Sequence, residues 1–171
     1  MSALSDKALE LANLELATGV RGGLFPPYAR FRGPRVDEYQ LAVGLPLDPD
    51  PSKQGYPWCA SAVYWLFRRA AAILDVPNPC PRTAGAIHLW DAAQDVAGTH
   101  TPLPGCVFVL DRGHGKGHVG FVSYVRGDGL IHSVEPDTSN LAMTATGDAW
   151  GEHDWDPRIE ERGTLLGYLA F

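Results

Sequence analysis

Residues 58–75 read WCASAVYWLFRRAAAILD. Cys59, Val63, Leu66, Phe67, Ala70 and Leu74 recur at helical spacing and Asp75-Val76-Pro77 ends the run, so the stretch predicts a core helix with Cys59 in its first turn. Unpaired backbone N–H groups and the helix dipole at that end favour thiolate over thiol. A cysteine in an apolar helix is ordinarily a small core residue, so its meaning depends on what surrounds it.

Working outward, residues 45–57 carry four prolines and read as a loop. Before it, Gly33-Pro34 opens a short helix in which Val36, Tyr39 and Val43 share a face and Gly44 closes the run. Residues 5–18 form an amphipathic pattern that stops at Gly19. Downstream, residues 83–96 predict a helix with Ile87, Trp90 and Ala93 facing inward. From Gly105 the pattern changes to strands: CVFVL (106–110), HVGFVSYV (118–125), LIHSVE (130–135) and LLGYLAF (165–171), with Arg126-Gly127-Asp128-Gly129 as a hairpin turn. The acidic, Trp-containing stretch 148–162 reads as a long connection or substrate-facing loop. Helices followed by an antiparallel sheet predict an α+β fold, and the length suits one domain over residues 1–171.

Bulk composition excludes several classes. Charged residues are 20% of the chain and the formal net charge is −6, which argues against nucleic acid as a partner. The opening MSALSDKALELANLEL has no basic segment leading into an apolar stretch, and no later run reaches membrane-spanning length. The expectation is therefore synthesis in the cytoplasm without a signal peptide. Three cysteines, Cys59, Cys80 and Cys106, form no CxxC pair, which excludes a zinc ribbon and leaves pairing of Cys80 with Cys106 open.

Cys59 has two matching partners further on. His118 begins a strand after the glycine-rich stretch 113–117, so small residues leave the space before its imidazole open. Glu135 closes the next strand, and a hairpin with a short turn brings the start of one strand beside the end of the other. A thiolate, an imidazole and a carboxylate that fixes its tautomer are the parts of acyl transfer through a thioester. The Cys59 backbone N–H is the first candidate oxyanion donor, with Tyr56 or Gln54 as the second. His114 is the rival base, set aside because a strand start is held more rigidly than a loop tip. Trp58 is a candidate cleft residue. Asp111, His114 and His118 do not form a zinc site, since H-x-x-x-H aligns two rings only on a helix and this stretch is rich in glycine. Asp48 and Asp50 offer two carboxylates near the nucleophile, short of the oxygen-rich loop that calcium needs. No cofactor is expected beyond that weak calcium option.

The segments GYPWCASAVYWLFRRA (55–70), GCVFVLDRGHGKGHVGFVSYV (105–125) and LIHSVEPDTSN (130–140) resemble the CHAP family of cysteine- and histidine-dependent amidohydrolases and peptidases. GPRVDEYQLAVGL (33–45) is similar to the lead-in of one branch. The resemblance implies a papain-like fold, the Cys helix packed on an antiparallel sheet, and cleavage of an amide bond in peptidoglycan. It carries the nucleophile onto Cys59, the base onto His118 and the orienting residue onto Glu135. Two residues beyond the acid many members have Asn; Asp137 stands here as the candidate fourth residue of the site, and an acid at this position can raise the imidazole pKa. Some relatives hold calcium in the region of Asp48 and Asp50.

The expected substrate partner is peptidoglycan peptide, acted on in the periplasm or at the wall after release as a phage lysin or delivery as a toxin. A delivered toxin would need a cognate inhibitor protein. The alternatives are an inactive wall-binding or phage-tail module of the same fold and an amidase acting on a non-wall amide.

Overall fold

The computed structural model describes residues 2–23, 26–140 and 144–171, with the side chains of 139, 140 and 144–147 outside the description. Helix α1 spans Ala3–Ala17, capped by the Ser2 side chain, which accepts from the Ser5 N–H at 3.0 Å. Helix α2 spans Pro34–Val43, with proline in its first turn and Gly44 in the left-handed conformation at its end. Helix α3 spans Cys59–Leu74 and stops at left-handed Asp75. Helix α4 spans Ala86–Ala97. The strands are β1 (Gly98–Thr99), β2 (Val107–Gly113), β3 (Lys116–Val125), β4 (Ile131–Asn140), β5 (Thr144–Trp155) and β6 (Thr164–Leu169).

The six strands form one antiparallel sheet in the order β1-β6-β2-β3-β4-β5. In its central strands β2 and β3 successive residues are buried on both faces and alternate between two clusters. Val107, Val109, Val119, Phe121 and Val134 join the helices in the main core, while Cys106, Phe108, Leu110, Val122, Ile131 and Trp155 form a second cluster. Helix α3 is buried all round in its first turns because α1 and α2 pack on one side of it and the sheet on the other. The α+β, papain-like expectation is met: helices come first, and the Cys59 helix lies on an antiparallel sheet.

Two expectations need correction. Residues 148–162 are no plain connection: β5 pairs with β4 along its length, and only 160–162 form a short 3-10 turn. His153, within that stretch, therefore lies on β5. In α4 the inward face is centred on Ala86, Leu89 and Ala93; Ala93 is buried as read, Trp90 packs partly buried against the core, and Ile87 is half-buried at the edge of that face. Cys80 and Cys106 are free and lie in different places, one in the main core and one in the second cluster.

Candidate active site

Cys59 is the first residue of α3 and only 7% exposed. The backbone N–H groups of Val119 and Ala60 face its sulfur, which sets the thiol beside the residue that follows His118. Burial nevertheless dominates, with the Asp137 charge second, and the thiol is pushed up to about 12. Desolvation thus opposes the thiolate that the N–H groups at the helix start favour.

His118 is 2% exposed on β3, opposite Leu110 of β2. Its Nε2 lies 2.9 Å from Glu135 Oε2, which leaves Nδ1 as the nitrogen open to a thiol proton. Burial is the main influence and holds the imidazole below its ordinary 6.5, against the pull of Glu135. The Asp137 charge raises the Cys59 thiol as well. His114 sits exposed at the tip of the β2–β3 hairpin with φ of 53°.

Glu135 is fully buried. Gly120 on the neighbouring strand makes room for it: a Cβ there would stand 2.8 Å from Glu135 Cγ and 2.8 Å from the Phe108 ring. Arg162 closes on the carboxylate with both ends of its fork, Nη1 reaching Oε1 at 2.7 Å and Nη2 bonding Oε2. Ser133 donates its hydroxyl to Oε1. Burial by itself would raise this carboxyl, but Arg162 and His118 hold it well below the usual carboxylate range.

Asp137 follows Pro136 at an irregularity in the β4–β5 pairing, with φ of 54°. Such a bulge re-aims a side chain, and here Asp137 Oδ2 accepts the Trp58 backbone N–H at 2.9 Å, just ahead of the nucleophile. Burial, reinforced by Asp148, pushes Asp137 up to about 7. Asp148 Oδ1 accepts the Trp58 indole N–H at 2.7 Å and Oδ2 the Phe31 N–H at 2.8 Å, tying the loop that carries Arg30 and Phe31 to the start of α3.

Cys59, His118 and Asp137 open onto one cavity of about 670 Å³, which Arg30, Arg112 and Lys116 also line. Trp58 does not line this cleft as expected: it is fully buried, stacked on Tyr39 at 5.5 Å and engaged by Asp148 through its indole. Gln54 and Tyr56 also lie outside it, in a separate surface recess with Asp48 and Lys53. The Tyr56 N–H is already given to Gln40 Oε1 at 3.3 Å. Asp48 and Asp50 each cap local backbone, Asp48 accepting from the Asp50 N–H and Asp50 from the Ser52 N–H. Arg162, Ser133, Asp148, Arg30 and Arg112 went unread in the sequence. Only Arg112, adjacent to the glycine-rich hairpin, carried a local signal.

No curated protein and no solved structure matches the chain. A family model, the CHAP domain, matches residues 51–137, just over half of the chain, from the loop before Cys59 through Glu135 to Asp137. Arg162, Asp148 and Arg30 fall outside the matched stretch. The chain belongs to the CHAP domain family, a group associated with cysteine- and histidine-dependent peptidoglycan hydrolases and amidases.

Proposed function

We infer that this protein hydrolyses an amide bond in the peptide part of peptidoglycan, with Cys59 as nucleophile, His118 as base and Glu135 as the residue that orients it. The observation that carries this reading is the buried His118–Glu135 bond at 2.9 Å, with the histidine and Cys59 opening onto one cavity.

The resting pair is a neutral thiol and a neutral imidazole. His118 Nδ1 takes the thiol proton as sulfur attacks the carbonyl, then delivers it to the departing amine. Glu135 holds the Nε2 proton and stabilises the imidazolium that forms between those events. Cys59 N–H, at the helix start and without an intrahelical acceptor, is a donor for the oxyanion. In the second half His118 activates water, the thioester is cleaved, and the thiol regains its proton. No metal takes part in this scheme, and Asp48 and Asp50 have no role in it.

The test is incubation of wild type and Cys59→Ala with sacculi of Gram-negative and Gram-positive type, with soluble fragments read by mass spectrometry. Release of peptide fragments by wild type alone is expected, and their masses name the bond. Binding to sacculi without release by either protein would favour a wall-binding module. Neither binding nor release would point to a non-wall amide.

The periplasm or the wall is the corresponding site of action. No helix among the described residues is long and apolar enough to cross a membrane. Both lysin-like release and delivery as a toxin suit such a substrate, and a toxin would require an inhibitor protein in the producing cell.

A further inference from the structure

The chain is acidic overall, with a formal net charge of −6, yet the cavity beside Cys59 is lined by three exposed cations, Arg30, Arg112 and Lys116. Among the described residues none of the three has a carboxylate within ion-pairing distance. Arg30 rests over the Phe31 ring, 4.3 Å from its centroid. Arg112 is held differently: its Nε donates to the Arg162 carbonyl at 3.2 Å, which orients the guanidinium and leaves both Nη groups without a protein acceptor among the described residues. A pre-oriented, unneutralised guanidinium fork matches a carboxylate.

Arg112 also lines a second recess of about 570 Å³, with Thr138, His153, Glu161 and Arg162, and Thr138 is likewise shared with the first cavity. Its position is therefore a junction between the space beside the nucleophile and the adjoining recess. Asp137, the anionic lining residue of the first cavity, stands close to Cys59, so negative charge on a ligand is disfavoured there and favoured toward Arg112 and Lys116.

We propose that Arg112, oriented by the Arg162 carbonyl and assisted by Lys116, is a specificity-determining residue that receives a free carboxylate of the substrate peptide beside the scissile amide. The inference rests on the peptidoglycan reading above and names the group on the peptide that the cleft selects. Lys116 lies across the hairpin from Gly113 and supplies a second cation. Arg30 flanks the cavity from the opposite loop and counters the Asp137 charge.

The test uses wall stem peptides in pairs, identical except that one side carboxylate is free or converted to its carboxamide, each carboxylate in turn. For one position, wild type is expected to prefer the free acid about tenfold in kcat/KM, mostly through KM, as a charge-assisted bond would give. Arg112→Gln brings that ratio toward one, and Arg112→Lys restores part of it, since a lysine keeps the charge but not the fork. Binding of the same pairs to Cys59→Ala, measured by calorimetry, should repeat the preference without turnover. Equal cleavage of acid and amide at every position by wild type would overturn this inference and leave the hydrolase reading intact. A loss in Arg112→Gln that is equal for both members of the pair would make Arg112 structural and overturn it as well. Failure of wild type to bind or cut any stem peptide would overturn both.

Discussion

Arg162 grips Glu135 through both carboxylate oxygens, while His118 bonds Oε2 at 2.9 Å. The orienting acid is thus itself oriented, by a residue 27 positions further along the chain and beyond the CHAP-matched stretch. Glu135 is fully buried, so its charge depends on that partner.

Arg162→Gln leaves a buried carboxylate short of its counter-ion. A loss of about 3 kcal/mol in unfolding free energy is expected, as when one member of a buried pair is removed. Arg162 also helps lower the His118 pKa, so its removal raises that pKa. In wild type, kcat/KM should climb with pH through an ionisation below 6.5. In the variant that acid limb moves to higher pH, a shift that simple destabilisation would not produce.

Asp137→Asn preserves an oxygen to accept the Trp58 N–H while removing the charge beside the thiol. Alkylation of Cys59 by iodoacetamide at pH 8 should become faster. The folded-state pKa of Asp137, about 7, is raised from its ordinary 3.8, so between those values the folded chain holds a proton that the unfolded chain does not. Its ionisation therefore costs stability that grows as pH rises through that window. Asn should stabilise the protein by about 1–2 kcal/mol at pH 8 and by little at pH 4, as read from denaturant unfolding at the two pH values.

Gly120→Ala forces a methyl group against Glu135 Cγ and the buried Phe108 ring. Overpacking of this kind costs about 1–3 kcal/mol. Because one of the displaced groups is Glu135, the fall in kcat should exceed that of an equally destabilising core substitution such as Val122→Ala, compared at matched fractions folded.

Trp58→Phe removes the indole N–H that Asp148 accepts at 2.7 Å. A buried carboxylate loses a donor, with an expected cost of about 1–3 kcal/mol measured by thermal unfolding. The Phe31 N–H remains on the other oxygen, so the loop carrying Arg30 keeps its bond to Asp148 while the link from Asp148 to the start of α3 through the indole is lost.

The elements with strong periodicity were legible from the chain alone. The 3.6-residue spacing in α3 follows from the need to bury one face, and the short apolar runs of β2 and β3 from burial on both faces of the sheet. Cys59, His118 and Glu135 could be singled out because an apolar run begins or ends at each, although β3 starts at Lys116, ahead of His118, and β4 continues past Glu135 to Asn140. β5 was not legible: left-handed Asp148 interrupts its alternation, and its buried run Ala149-Trp150-Gly151 lacks the period of a half-exposed strand. Arg162 and Asp148 were unreadable for a related reason, since an ion pair or a hydrogen bond across the fold leaves no mark on local pattern. Trp58 was misread because adjacency to Cys59 says nothing of direction, and the side chain turns into the core toward Tyr39 and Asp148. The thiol's protonation state depended on burial, which helix position does not report.

The most direct measurement is digestion of sacculi in H₂¹⁸O by wild type, Cys59→Ala and His118→Ala, with mass spectrometry of every released fragment. Hydrolysis through a Cys59 thioester predicts one ¹⁸O in the new carboxyl of wild-type fragments, a matching new amine, and no fragments from either variant. Labelled fragments from Cys59→Ala at a rate near that of wild type would contradict the account, as would wild-type fragments that carry no label.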